Sequence, residues 1–174
     1  MDAAPILTER SDGMRRHSAK KLTTAAVMAS LVFVMTYLLK LPVGYGYVHL
    51  GDGAVFLAAM LLGGPGVAAA ALGSALSDLL AGFMPYVLPT AAIKAAMAFI
   101  VWKLWKPRAW LRTAAAFLLA EVVLVAGYFA VDLALYGAAA AWSAVGANCL
   151  QGLTGFALGM LCRALYPRLK QIVK

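Results

Sequence analysis

The chain alternates apolar blocks with short polar connections, and the blocks have the length of membrane spans. A helix needs about 20 apolar residues to cross a bilayer, and six segments read as helices of that kind or somewhat shorter. The first runs from Ala19 to Leu39. The second, Gly51 to Leu62, is short and stops at Gly63-Gly64-Pro65-Gly66, where permissive glycines and a proline break the ladder. The third covers Val67 to Phe83, a stretch around Pro85 and Pro89 turns the chain back, and the fourth covers Thr90 to Trp105. The fifth and sixth are Thr113 to Leu135 and Ser143 to Tyr166. The pattern predicts an all-α fold: a polytopic membrane protein with six transmembrane helices in one compact bundle over residues 19–174. Residues 1–18 are basic and lack periodicity, and are expected to form a disordered cytoplasmic tail.

Composition strengthens this reading. Of 174 residues, 64% are hydrophobic and 13% charged, more apolar surface than a soluble domain of this size can bury. A net charge of +8 raises the question of nucleic acid, but its distribution points to a bilayer. Thirteen of the 15 basic residues fall in three clusters: Arg10 to Lys21, Lys103 to Arg112, and Arg163 to Lys174. With six spans all three lie on one side, which makes both termini cytoplasmic by the positive-inside rule; five spans would split them. The N-terminus lacks the short apolar core and cleavage site of a secretion signal. Cys149 and Cys162 have no metal-ligand spacing and read as small packing residues.

Ionisable groups inside a bilayer cost roughly 2.5–3.5 kcal/mol each, so they point to function. Asp78, Lys94, Glu121 and Asp132 lie within spans; Asp52, which follows Gly51 at a helix start, is the fifth such group, with an N-cap as its structural alternative. Glu121, Tyr128 and Asp132 share a face of the fifth helix, and Asn148 and Gln151 share one of the sixth. With both termini inside, these groups cluster in the outer half of the bundle over an apolar inner half. That describes a pocket open to the outside, not an ion path through the full thickness. Glu121 is the deepest, either the pocket floor or a contact with a partner. Structural alternatives stand beside each: an Asp78–Lys94 ion pair between helices three and four, a solvated Asp132, Asn148 and Gln151 as interhelical glue, and Tyr128 as packing. The first outer connection, Pro42 to Leu50, carries Tyr45, Tyr47 and His49 among glycines; it suits a mobile lid over a flat ring, or an interfacial aromatic belt.

On helix one, Ala25 and Ala29 form a small-xxx-small pair that lets another helix approach closely. No phosphate-binding G-x-x-x-x-G-K-[ST] loop, H-E-x-x-H or serine-elbow motif occurs. With histidine only at positions 17 and 49, no metal or cofactor is expected and an enzyme is disfavoured. Energy for uphill uptake must then come from partners.

The Leu50-Gly51-Asp52 helix start, the Gly-Pro turn and Gly73-Ser74-Ala75-Leu76-Ser77-Asp78 resemble substrate-binding S components of energy-coupling factor (ECF) transporters, over nearly all of the chain after residue 18. Gly127-Tyr128-Phe129 and Asn148-Cys149-Leu150-Gln151-Gly152 resemble the branch associated with hydroxymethylpyrimidine or vitamin B6 compounds. The resemblance implies a multi-pass subunit of the prokaryotic plasma membrane. Its partners would be one transmembrane coupling subunit, met by Ala25 and Ala29, and two cytoplasmic ATPases. It implies a small vitamin-like ligand beneath the first outer connection, between helices four, five and six. A small nitrogen heterocycle fits the residues: Asn148 and Gln151 for its edge, Tyr128 or a loop tyrosine for its face, and Glu121 or Asp132 for a protonated nitrogen. Riboflavin or thiamine, a membrane-embedded enzyme and a self-assembling channel are the alternatives.

Overall fold

The computed structural model describes the backbone of residues 4–43 and 46–173, and the side chains of residues 19–40 and 48–171. Among the described residues there are six α-helices and one β-hairpin: α1 (Ala4–Tyr37), β1 (Lys40–Val43), β2 (Gly46–His49), α2 (Gly51–Leu62), α3 (Gly64–Leu80), α4 (Val87–Leu104), α5 (Trp110–Tyr136) and α6 (Ala138–Val173). A single 3-10 turn, Met84–Tyr86, leads into α4. The all-α class holds, with the hairpin as an addition.

The elements are longer than their apolar cores. α1 begins at Ala4, but the part apolar enough to cross a membrane is Ala19–Tyr37. Three more segments qualify by length and composition: Met84–Leu104, Trp110–Tyr136 and Ala138–Gln171. α2 and α3 are apolar but have only 12 and 17 residues. The breaks are also tighter than expected. Gly63, at a φ of 65°, makes the α2–α3 corner alone, and Pro65 sits in the first turn of α3, where its missing N–H has no helical partner to lose. Pro89 likewise lies within α4, which starts three residues before the expected Thr90. Gly137, at a φ of 86°, is the entire α5–α6 connection.

The connection between α1 and α2, read from the sequence as a lid or an interfacial aromatic belt, carries an antiparallel hairpin. Lys40 pairs with His49, Leu41 with Val48, Pro42 with Tyr47 and Val43 with Gly46. β2 rests against α6, and the chain then enters α2 directly.

α2 is the centre of the bundle, packed by α1, α3, α4 and α6, and most of its residues are buried. Phe56 stacks on Phe117 of α5 with centroids 4.6 Å apart. Gly159 of α6 gives them room, since a Cβ there would come within 2.6 Å of Phe56. Met97, Val101 and Leu124 close this core. Large apolar side chains, among them Leu72, Leu88, Leu111, Val122, Trp142 and Leu153, face outward instead, as expected where lipid is the solvent.

The α2–α3 corner abuts Trp102 near the end of α4: a Cβ on Gly63 would lie 2.8 Å from the indole nitrogen. Basic and aromatic groups collect at this end. Lys103 lies over the Trp102 ring at 3.9 Å, Trp105 meets Tyr166, and Arg112 donates to the Leu104 carbonyl. From that corner, the 12 residues of α2 rise only about 18 Å. The start of α2, next to the hairpin, is therefore less than a full span of about 30 Å from that corner.

Candidate functional site

The first turn of α2 carries Asp52, which is fully buried. It is not the N-cap anticipated for it: Leu50 holds that position, without a side-chain cap. Its carboxylate instead gathers two other helices. Lys94 of α4, also fully buried, makes an ion pair with Oδ1, and Nε2 of Gln151 on α6 donates to Oδ2 at 2.8 Å. The Lys94 ion pair thus goes to α2 and not to Asp78 of α3, the partner weighed from the sequence. Two charges buried together need such mutual compensation.

Glu121 of α5 lies beside this group. It is buried and points inward, which excludes a contact of its side chain with an outside partner. Neither carboxylate oxygen has a hydrogen-bond partner among the described residues. Its space comes from two glycines of α6. A Cβ on Gly155 would lie 2.2 Å from Glu121 Oε1 and 2.8 Å from the Asp52 Cβ, and one on Gly152 would lie 3.3 Å from the Glu121 Cβ.

Above this centre is a second layer. The Tyr128 and Thr90 hydroxyls are 2.9 Å apart, and the Lys94 ammonium lies 5.9 Å from the Tyr128 ring centroid. The Tyr86 hydroxyl donates to Asp132, so Asp132 is buried and engaged and not simply solvated. Tyr86 stacks on exposed Tyr136 at 6.2 Å and meets Tyr128 at 6.3 Å. His49 is buried at the end of β2, where its Nδ1 accepts the Gly51 N–H at 3.1 Å. Burial holds this imidazole down at about 4, so it stays neutral and keeps that lone pair.

The remaining candidates are placed as follows. Asp78 is buried on α3, and its carbonyl accepts the Phe83 N–H. Asn148 is half-buried, one turn outward of Gln151. Tyr45 and the Tyr47 side chain lie outside the described residues. Ala25 and Ala29 are half-buried on α1. A Cβ on Gly73 of α3 would lie 2.4 Å from the Ala29 carbonyl oxygen, so Gly73 allows a close α1–α3 approach at this level. Beside that crossing is a shallow surface groove lined by Ala29, Ser30, Phe33, Leu72, Gly73 and Leu76.

Asp52, Tyr86, Thr90 and the glycines Gly152 and Gly155 belong to the polar centre or its rim and were not singled out as site residues. For Asp52 the signal existed, an acid in an apolar block. Tyr86 follows Pro85 in the stretch read as a turn, and Thr90 read only as the first residue of the fourth helix.

The bundle thus encloses a polar centre in apolar surroundings, with the Phe56–Phe117 stack beside it along α2. The chain belongs to the family of ECF-type transporter S components: residues 16–168 match the family described as "ECF-type riboflavin transporter, S component". It is a multi-pass membrane protein, and its function is that of a transporter subunit. It is also 30% identical to the thiamine precursor transporter HmpT of Lactococcus lactis subsp. cremoris (strain MG1363), over 159 residues that make up 89% of this chain and 92% of that protein.

Proposed function

We propose that this S component captures a small vitamin precursor, hydroxymethylpyrimidine, from outside the cell. It then delivers the ligand across the membrane with a transmembrane coupling subunit and two cytoplasmic ATPases. The observation that carries this reading is the vertical order of the bundle. A polar centre from α2, α4, α5 and α6 lies beneath the hairpin, and a stacked aromatic pair plugs the space below it. Such a site admits a ligand from above and offers it no way through.

In this reading α2 and α3 also cross the membrane, shortened, to give six spans with both termini cytoplasmic. Residues 19–174 form one substrate-binding domain behind a basic tail. The Trp102, Lys103 and Arg112 collar marks the inner face. The ligand lies between Lys94, Tyr128, Asp132, Asn148 and Gln151, under His49, with Asp78 at the α3 side. Ala25, Ala29 and the adjoining groove face the coupling subunit. The relative's name favours the pyrimidine over vitamin B6 compounds. The description of the matched family makes riboflavin the second reading.

Thermal-shift titration of the detergent-purified protein tests the assignment, because a ligand bound to the folded state raises its apparent stability. Hydroxymethylpyrimidine is expected to raise the melting temperature, and Asn148→Ala to reduce that shift by weakening the affinity about tenfold. A shift with riboflavin and none with the pyrimidine would replace the substrate and keep the transporter role.

A further inference from the structure

We infer that Glu121 reads the hydrogen-bonding edge of the ligand, and that this edge is an exocyclic amino group beside a ring nitrogen. The inference rests on the pyrimidine reading above and narrows it to one contact.

The argument begins with which carboxylates are already occupied. Asp52 uses one oxygen for Lys94 and the other for Gln151, and Asp132 accepts from Tyr86. Glu121 is as buried as these, yet both of its oxygens are without a partner among the described residues. A polar group buried in this way is costly, and an apolar side chain of equal size would be the cheaper filling. The surroundings nevertheless make a place for the carboxyl. α6 has no side chain at Gly152 or Gly155, the two positions that face it, and a Cβ at Gly155 would strike Oε1. Glycine in a helix interior itself costs about 1 kcal/mol relative to alanine. Two such positions facing one unpartnered acid leave room in the packed centre for its carboxyl.

The charges select the partner of that carboxyl. Lys94 is the buried cation of this centre, and Asp52 already neutralises it. An anionic ligand therefore meets no spare positive charge, and a second carboxylate beside Asp52 calls for a donor. A carboxyl group presents two oxygens side by side. An aminopyrimidine presents an N–H donor next to a ring nitrogen at matching spacing. With a single proton shared between carboxyl and ring nitrogen, two parallel hydrogen bonds form and no net charge is added. A ring without the amino group makes only one of them.

The experiment compares hydroxymethylpyrimidine with the same ring lacking its amino group, on the full chain and on Glu121→Met and Glu121→Gln. Affinity is read by calorimetry, and folding by the melting temperature. The wild type is expected to prefer the amino compound about 100-fold or more. Glu121→Met should lose that preference along with most of the affinity. Glu121→Gln should keep the preference, because an amide also sets a donor beside an acceptor. Should Glu121→Met not fold, the smaller Glu121→Ala is read in its place: an unchanged preference for the amino compound overturns the inference. A folded Glu121→Met that melts higher and binds both as the wild type does also overturns it, leaving the proposed substrate intact. A wild type that binds riboflavin and neither pyrimidine removes the substrate reading, and this inference with it.

Discussion

The polar centre and the rim above it use the same kind of acceptor in opposite ways. At the centre, Asp52 is inaccessible and holds a full positive charge against itself, with Lys94 and Gln151 arriving from two other helices. At the rim, Asp132 accepts from the neutral hydroxyl of half-buried Tyr86, in a group of aromatic rings that opens to the surface at Tyr136. In the low-dielectric centre, attraction is strong and an unmet charge is ruinous. At the rim, the partner to be lost is a neutral hydroxyl, worth less than an ion pair. The centre therefore fixes how α2, α4 and α6 meet, while the rim can open and close without endangering the fold.

The largest test removes one charge from the centre. Lys94→Met leaves Asp52 buried with only Gln151, and should lower stability by about 3–5 kcal/mol. Combining it with Asp52→Asn should recover a large part of that loss, because the uncompensated charge is gone. Thermal melting in detergent reads both. If the double variant is no more stable than the single one, the pair is not the electrostatic unit described.

The centre was only partly legible in the sequence. The apolar blocks were, because span length and basic clustering are local properties. The shared face of Asn148 and Gln151 was legible too, since helical periodicity alone sets it. Asp52 was misplaced because Gly51-Asp52 looks locally like a cap. What gives it another role is Lys94, 42 residues on, and Gln151, 99 residues on. The Tyr86–Asp132 contact spans 46 residues and is equally invisible to local pattern. The hairpin escaped notice because its strands are four residues each and are interrupted by Pro42 and glycines, which read as a loop.

A smaller test contrasts glycines that the two ends of α6 treat differently. Gly155→Ala places a methyl against Glu121 and Asp52, and should cost about 1–3 kcal/mol through overpacking. Gly146→Ala, on the outer part of the same helix, meets nothing within 4 Å. It should be neutral or gain up to about 1 kcal/mol from helix propensity. Equal melting shifts for the two would mean that the slot around Glu121 is looser than the packing indicates.

The smallest effect belongs to the rim. Tyr86→Phe keeps the ring and its stacking on Tyr136 but deletes the donor to Asp132. Asp132 is buried, but the lost partner is a neutral hydroxyl and not a charge, and the cost should be about 1 kcal/mol. Ligand kinetics separate a rim that gates from one that binds. If the contact only holds the mouth closed, Tyr86→Phe should speed association and dissociation alike, and leave the equilibrium affinity nearly unchanged. A selective rise in the dissociation rate would make Tyr86 a ligand contact. The rim would then share the recognition that the comparison assigns to the centre.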